Sequence, residues 1–135
     1  MARRLILDTS TLIAYERGTV DRASFDDDDL AIAAVTVAEL RTGIELADTV
    51  ARAAERARVV AAITSAVTVL DYTGRTAVEH ARLIAHVRRA GVPRGAHDLI
   101  IAAHAAEHGR AIASHDVRAR FHDLPGVEVV GVPDS

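Results

Sequence analysis

The chain has 135 residues, a formal net charge of −3, 50% hydrophobic residues and only 3% aromatic ones. This supply of apolar side chains excludes a disordered chain, and the acidic balance excludes a general polyanion binder. With no cysteine there are no disulfides, no thiolate zinc sites and no cysteine nucleophile, which fits a reducing, cytoplasmic setting.

No apolar run is long enough for a membrane span or a signal-peptide core. The expectation is one soluble domain over residues 1–135, with no linker and no internal repeat. Every fixed cation is arginine, since the chain has no lysine. The scarcity of aromatic residues makes base stacking a poor route to nucleic acid.

Arg3–Leu7 reads as a short buried strand, followed by Asp8 and a helix from Thr11 to Arg17 that Gly18 stops. The four adjacent acids Asp26–Asp29 repel one another and read as a solvated loop; their spacing does not suit an EF-hand. Leu30–Val35 reads as a second strand and Val37–Ala47 as a helix, with Thr36 and Glu39 spaced as a capping box. Asp48–Ala66 continues as a helix with an arginine-rich face. A third strand is expected at Val67–Leu70 and an amphipathic helix at Arg75–Ala90.

Gly95–Gly109 reads as one helix. Asp98 stands at its N-terminal end with the apolar run Leu99–Ala103 behind it, and Gly109 stops it. A fourth strand at Ala111–Ser114 leads to His115 and Asp116, and a fifth is expected at Val127–Val132. Strands alternating with helices give βαβ units, hence a mostly parallel sheet covered on both faces, an α/β three-layer sandwich.

In such a sheet ligands bind beyond the C-terminal strand ends. Asp8 and Asp116 follow strand ends, Glu39 lies one turn past another, and Asp98 opens the helix that feeds the fourth strand. Each has a local explanation, as a helix cap for Asp8 and Asp98 and as a capping-box member for Glu39. Four acids on one rim would repel unless a cation sat among them. Oxygen donors without cysteine or histidine favour Mg²⁺ or Mn²⁺ over zinc. Such an ion polarises a phosphoryl oxygen and activates water. Arg94, near Arg88 and Arg89, is a candidate phosphate contact, although a solvated helix end favoured by the dipole explains these arginines somewhat better.

Leu7-Asp8-Thr9-Ser10, Val37-Ala38-Glu39-Leu40, Asp98-Leu99-Ile100-Ile101-Ala102-Ala103, and Ser114-His115-Asp116 followed by Phe121 form an ordered set over nearly the whole chain. That set resembles the motifs of PIN-domain ribonucleases, and within them the VapC-type toxins of toxin–antitoxin pairs. The resemblance implies a sheet of order 3-2-1-4-5, Mg²⁺- or Mn²⁺-dependent cleavage of RNA, a homodimer, and a VapB-type antitoxin whose tail covers the active site. It assigns Asp8, Glu39, Asp98 and Asp116 as metal-binding acids, with Ser114 as the hydroxyl beside the last. Many relatives carry Thr-Arg-Asn or Thr-Arg-Asp where this chain has Ser114-His115-Asp116, so the carboxylate is kept while its flanks differ.

Other readings carry less. His104-Ala105-Ala106-Glu107-His108 matches the H-x-x-E-H pattern of inverted zinc peptidases, but no further glutamate-bearing helix supplies its context. An aspartyl phosphatase would need a second Asp at position 10, where Ser10 stands. A PIN-like protein that binds RNA or an antitoxin without cutting remains the alternative from a different class.

Overall fold

In the computed structural model, residues 2–115 and 119–135 are described. Strand β1 (Arg4–Leu7) leads into helix α1 (Thr9–Arg17), then β2 (Asp29–Ala33), α2 (Ala34–Glu45), α3 (Val50–Ala66) and β3 (Thr68–Leu70). Helices α4 (Gly74–Ala90) and α5 (Ala96–His108) follow in tandem, then β4 (Ala111–Ala113) and β5 (Val129–Val130). The strands form one sheet of order β3-β2-β1-β4-β5, every ladder parallel. This is the α/β architecture expected from the alternation of strands and helices, with the strand order that the family resemblance implies.

Both faces of the sheet are buried, as a parallel sheet requires. In β1, Ile6 joins the core beneath α4 and α5 with Leu83, Leu99 and Ile101, while Leu5 and Leu7 point to the other side with Leu12 and Ile63. The alternation follows from the two-residue period of a strand. Helix α5 is buried along Leu99 and Ile101–Ala105, so its first turn has little freedom to shift.

Several boundaries move for local reasons. Helix α1 starts at Thr9 because Asp8 caps it, its Oδ1 accepting from the Thr11 N–H at 3.0 Å. Strand β2 closes at Ala33, and α2 begins there without a side-chain cap. Strand β5 shrinks to Val129–Val130, the only part of its run laddered to β4.

The acidic run is not all solvated loop. Arg3 donates through its guanidinium and backbone N–H to Asp28, whose side chain is 6% exposed. These bonds hold the Asp28 carboxyl below its ordinary value. Asp29 opens β2 and meets the buried Arg110, whose Nη1 donates to the carbonyls of Leu5 and Asp29 and to Asp29 Oδ1 at 3.0–3.1 Å. Arg110 thus ties β1 and β2 together from the chain segment entering β4.

The order places β1 between β2 and β4. The chain leaves β1 toward β2 and β3, and later returns through α5 to β4 on the other side. The crossovers therefore part at the β1–β4 boundary and open a crevice beyond the C-terminal ends of those strands.

Removing Arg110 as Arg110→Ala leaves buried carbonyls without their donor and should cost about 1–3 kcal/mol, read as a lower denaturant midpoint. Asp28 has a folded value below its unfolded one, so its contribution is complete above the ordinary carboxylate value of 3.8 and fades as pH falls below it. The stability gap between the wild type and Asp28→Asn should therefore narrow in acid, as followed by thermal melts from neutral pH downward.

Candidate active site

Asp8 sits at the crevice because β1 ends there and α1 begins. It is 3% exposed. Its Oδ1 takes the α1 cap bond, with Ser10 Oγ 3.4 Å away, and its Oδ2 accepts from Ser114 Oγ at 2.7 Å. Ser114 follows β4, so this bond spans the two strands that flank the crevice. Next to it, Thr11 Oγ1 lies 3.2 Å from His115 Nδ1. A buried carboxylate fixed at both oxygens holds its direction without spending side-chain entropy on ligand binding.

Glu39 comes from α2. The capping box expected from Thr36 and Glu39 does not form, because α2 starts at Ala34, two residues before Thr36. Both side chains turn instead toward α1: Thr9 Oγ1 donates to Glu39 Oε1 at 2.8 Å and lies 3.3 Å from Thr36 Oγ1. His97 Nδ1 stands 3.2 Å from the same Glu39 oxygen. From the sequence Thr36 reads only as a helix cap, and Thr9 and His97 are not assigned to the site. The only sequence signal of these last two is adjacency to an acid, at Thr9 beside Asp8 and His97 beside Asp98.

Asp98 lies in the first turn of α5 but is not its cap, a place that belongs to Gly95. The helix dipole favours a carboxylate there. Gly95 leaves room for it: a Cβ built on Gly95 would stand 3.1 Å from Asp98 Oδ2. Asp8, Glu39, Asp98 and His97, with Thr9, Ser10 and Ile13, line one cleft of about 280 Å³. Asp116 lies outside the described residues.

Arg94 occupies a different position from the expected phosphate contact. Its side chain is 7% exposed, and its guanidinium donates to the carbonyls of Ala119 and Arg120 and faces Asp123. Arg120 has a left-handed backbone, φ 49°. Arg94 therefore clamps the turn after β4.

The donor set of the cleft is all carboxylate and hydroxyl oxygen apart from His97, which suits a hard divalent cation. Among the described residues, the one group of three acid or imidazole side chains whose ligand atoms all lie within 4.8 Å of one another is elsewhere, at His104, Glu107 and His108. Asp8, Glu39 and Asp98 line the same cleft without all three bringing ligand atoms within 4.8 Å of one another, as like charges do without a counter-ion. Mg²⁺ keeps several waters and takes one or two carboxylates directly, so such spacing fits it.

The likeness to known proteins runs over nearly the whole length. The chain is 29% identical over 129 residues to Ribonuclease VapC1 of Rickettsia felis, covering 95% of this chain and 96% of that one. It is 29% identical over 131 residues to the tRNA(fMet)-specific endonuclease VapC of Salmonella typhimurium, covering 93% and 96%. Among solved structures, DNA-bound VapBC from Salmonella typhimurium superposes with a TM-score of 0.84 at 27% identity, over 97% of this chain and 98% of that one. VapBC-5 from Mycobacterium tuberculosis gives 0.77 at 28% identity, over 95% and 98%. The family model described as PIN domain matches residues 5–126, and with that match laid over the parallel sheet and its acidic crevice, the chain belongs to the PIN domain family.

Proposed function

We propose that this protein is a metal-dependent endoribonuclease, the toxin of a toxin–antitoxin pair, and that it hydrolyses RNA phosphodiester bonds in the cleft at the ends of β1 and β4. The observation that carries the reading is the meeting of Asp8, Glu39 and Asp98, from three separate segments, on that one wall. Asp116 is the fourth acid of the same proposal. Relatives named as ribonucleases and solved neighbours described as VapBC support the activity and a VapB-type antitoxin as partner. A homodimer and a cytoplasmic location complete it.

Asp8 and Asp98 would hold Mg²⁺ or Mn²⁺, with Glu39 and Asp116 at its flank. The bound ion supplies charge for a phosphoryl oxygen and lowers the pKa of a water. The protein's own part is orientation. Ser114 and the Thr11 N–H keep the Asp8 carboxylate aimed at the crevice. Thr9 holds Glu39 against α1, and His97, half exposed beside it, is a donor at the mouth where the RNA backbone passes. A protein that binds RNA without cutting it gains nothing from three acids on this wall, since they repel phosphates unless a cation lies between.

Asp8→Asn and Asp98→Asn should each bring cleavage of a structured RNA to background while circular dichroism stays unchanged. EDTA should do the same to the wild type, and Mg²⁺ or Mn²⁺ should restore it. Undiminished cleavage by either variant refutes the assignment. The two roles of Asp8 separate by substitution. Asparagine still caps α1, so Asp8→Asn should melt close to the wild type, whereas Asp8→Ala should lose about 1 kcal/mol with the cap. Paired denaturation curves measure the difference.

A further inference from the structure

We propose that His104, Glu107 and His108, on the last turns of α5, form a second metal site that takes a borderline divalent ion, Zn²⁺ foremost, and is separate from the acidic cleft. The spacing i, i+3, i+4 sets the three side chains on one helix face. Their ligand atoms lie within 4.8 Å of one another. Glu107 Oε1 is the hub, 4.0 Å from His104 Nδ1 and 3.3 Å from His108 Nε2.

Burial is the second, independent observation. His104 is fully buried, and neither of its ring nitrogens has a hydrogen-bond partner among the described residues. Native interiors rarely leave both nitrogens of an imidazole unsatisfied, because each orphaned polar group costs roughly 1–3 kcal/mol. A metal ion on one nitrogen removes that cost at the nitrogen it binds.

The surroundings are those of a supported ligand set. Thr76 of α4 donates to Glu107 Oε1 at 2.6 Å, an outer hydrogen bond of the kind that orients a coordinating carboxylate. The Tyr72 ring stands edge-on to His104 at 6.3 Å between centroids, and its hydroxyl is tied to His80 Nδ1 at 2.8 Å. Glu107 also borders an open depression with Thr73, Gly74, Arg75 and Val78, which gives an ion a way in. A cation at the C-terminal end of a helix is favoured by the dipole.

Two imidazoles and one carboxylate are zinc-type donors that leave a position for water, whereas Mg²⁺ selects all-oxygen sites. Glu107 lies nine residues beyond Asp98 along α5, about 14 Å at 1.5 Å per residue. One helix thus carries a hard-ion site at its start and a borderline-ion site at its end. The site does not depend on the nuclease reading.

The test is equilibrium dialysis of chelator-stripped full-length protein against Zn²⁺ in excess Mg²⁺, followed by elemental analysis. The expected result is one Zn²⁺ per chain, unchanged in Asp98→Asn and lost in both His108→Gln and Glu107→Gln. The loss of affinity should exceed the ~10–100-fold that removal of an outer partner costs. His108 is 35% exposed, so its replacement leaves the core intact, and each variant is scored once its circular dichroism matches the wild type. No zinc on the wild type, zinc lost with Asp98→Asn, or undiminished zinc on either α5 variant overturns the proposal.

Discussion

The bond from Ser114 Oγ to Asp8 Oδ2 joins the ends of β4 and β1, the two parallel strands between which the winding of the chain reverses. The other oxygen of the same carboxylate caps α1. One buried acid thereby fixes the start of a helix, the separation of two strand ends and the direction of a site ligand. The cleft depends on this arrangement, because Glu39 is positioned through Thr9, the first residue of the helix that Asp8 caps. A shift of α1 would move both acids together.

The cleft is a compromise between stability and chemistry. Acids lining a shared wall raise the energy of the ligand-free fold, and hydrogen bonds at their rear reduce that penalty without removing it. Two well-packed supports flank the cleft: the buried body of α5 behind Asp98 and the three-way contacts of Arg110 at the opposite rim of the sheet. Gly95 belongs to the same economy of space, since the Asp98 carboxylate occupies the room that a side chain there would take.

On the two proposals made above, helix α5 would separate two coordination chemistries by its length. Its first turn offers carboxylate to a crevice of oxygen donors, and its last turns offer a buried and a partly exposed imidazole beside a half-buried glutamate. Donor hardness, rather than affinity alone, sorts ions between such sets. The dipole stabilises Asp98 at one end and favours a cation at the other, so the helix suits both without conflict.

Much of this was legible in the residue pattern. Apolar runs bounded by Asp8, Asp29 and Gly109 marked strands and helix ends, and their alternation implied a parallel sheet covered on both sides. The ordered acids marked the rim where a ligand belongs. Local pattern failed where side chains had two possible partners. Thr36 and Glu39 have capping-box spacing, yet their hydroxyl and carboxylate meet Thr9, thirty residues or so away, because tertiary contacts replaced the local ones. Arg94 resembled a free phosphate contact, yet it holds a turn that follows β4. The Asp26–Asp29 run read as uniformly solvated, yet Asp28 and Asp29 face arginines brought from opposite parts of the chain. By itself the sequence determined which residues are apolar, where backbone breaks fall and which acids are available. Only the tertiary structure decided which of those acids share a cleft and which are neutralised elsewhere, because charge pairing depends on distances through space that spacing along the chain does not encode.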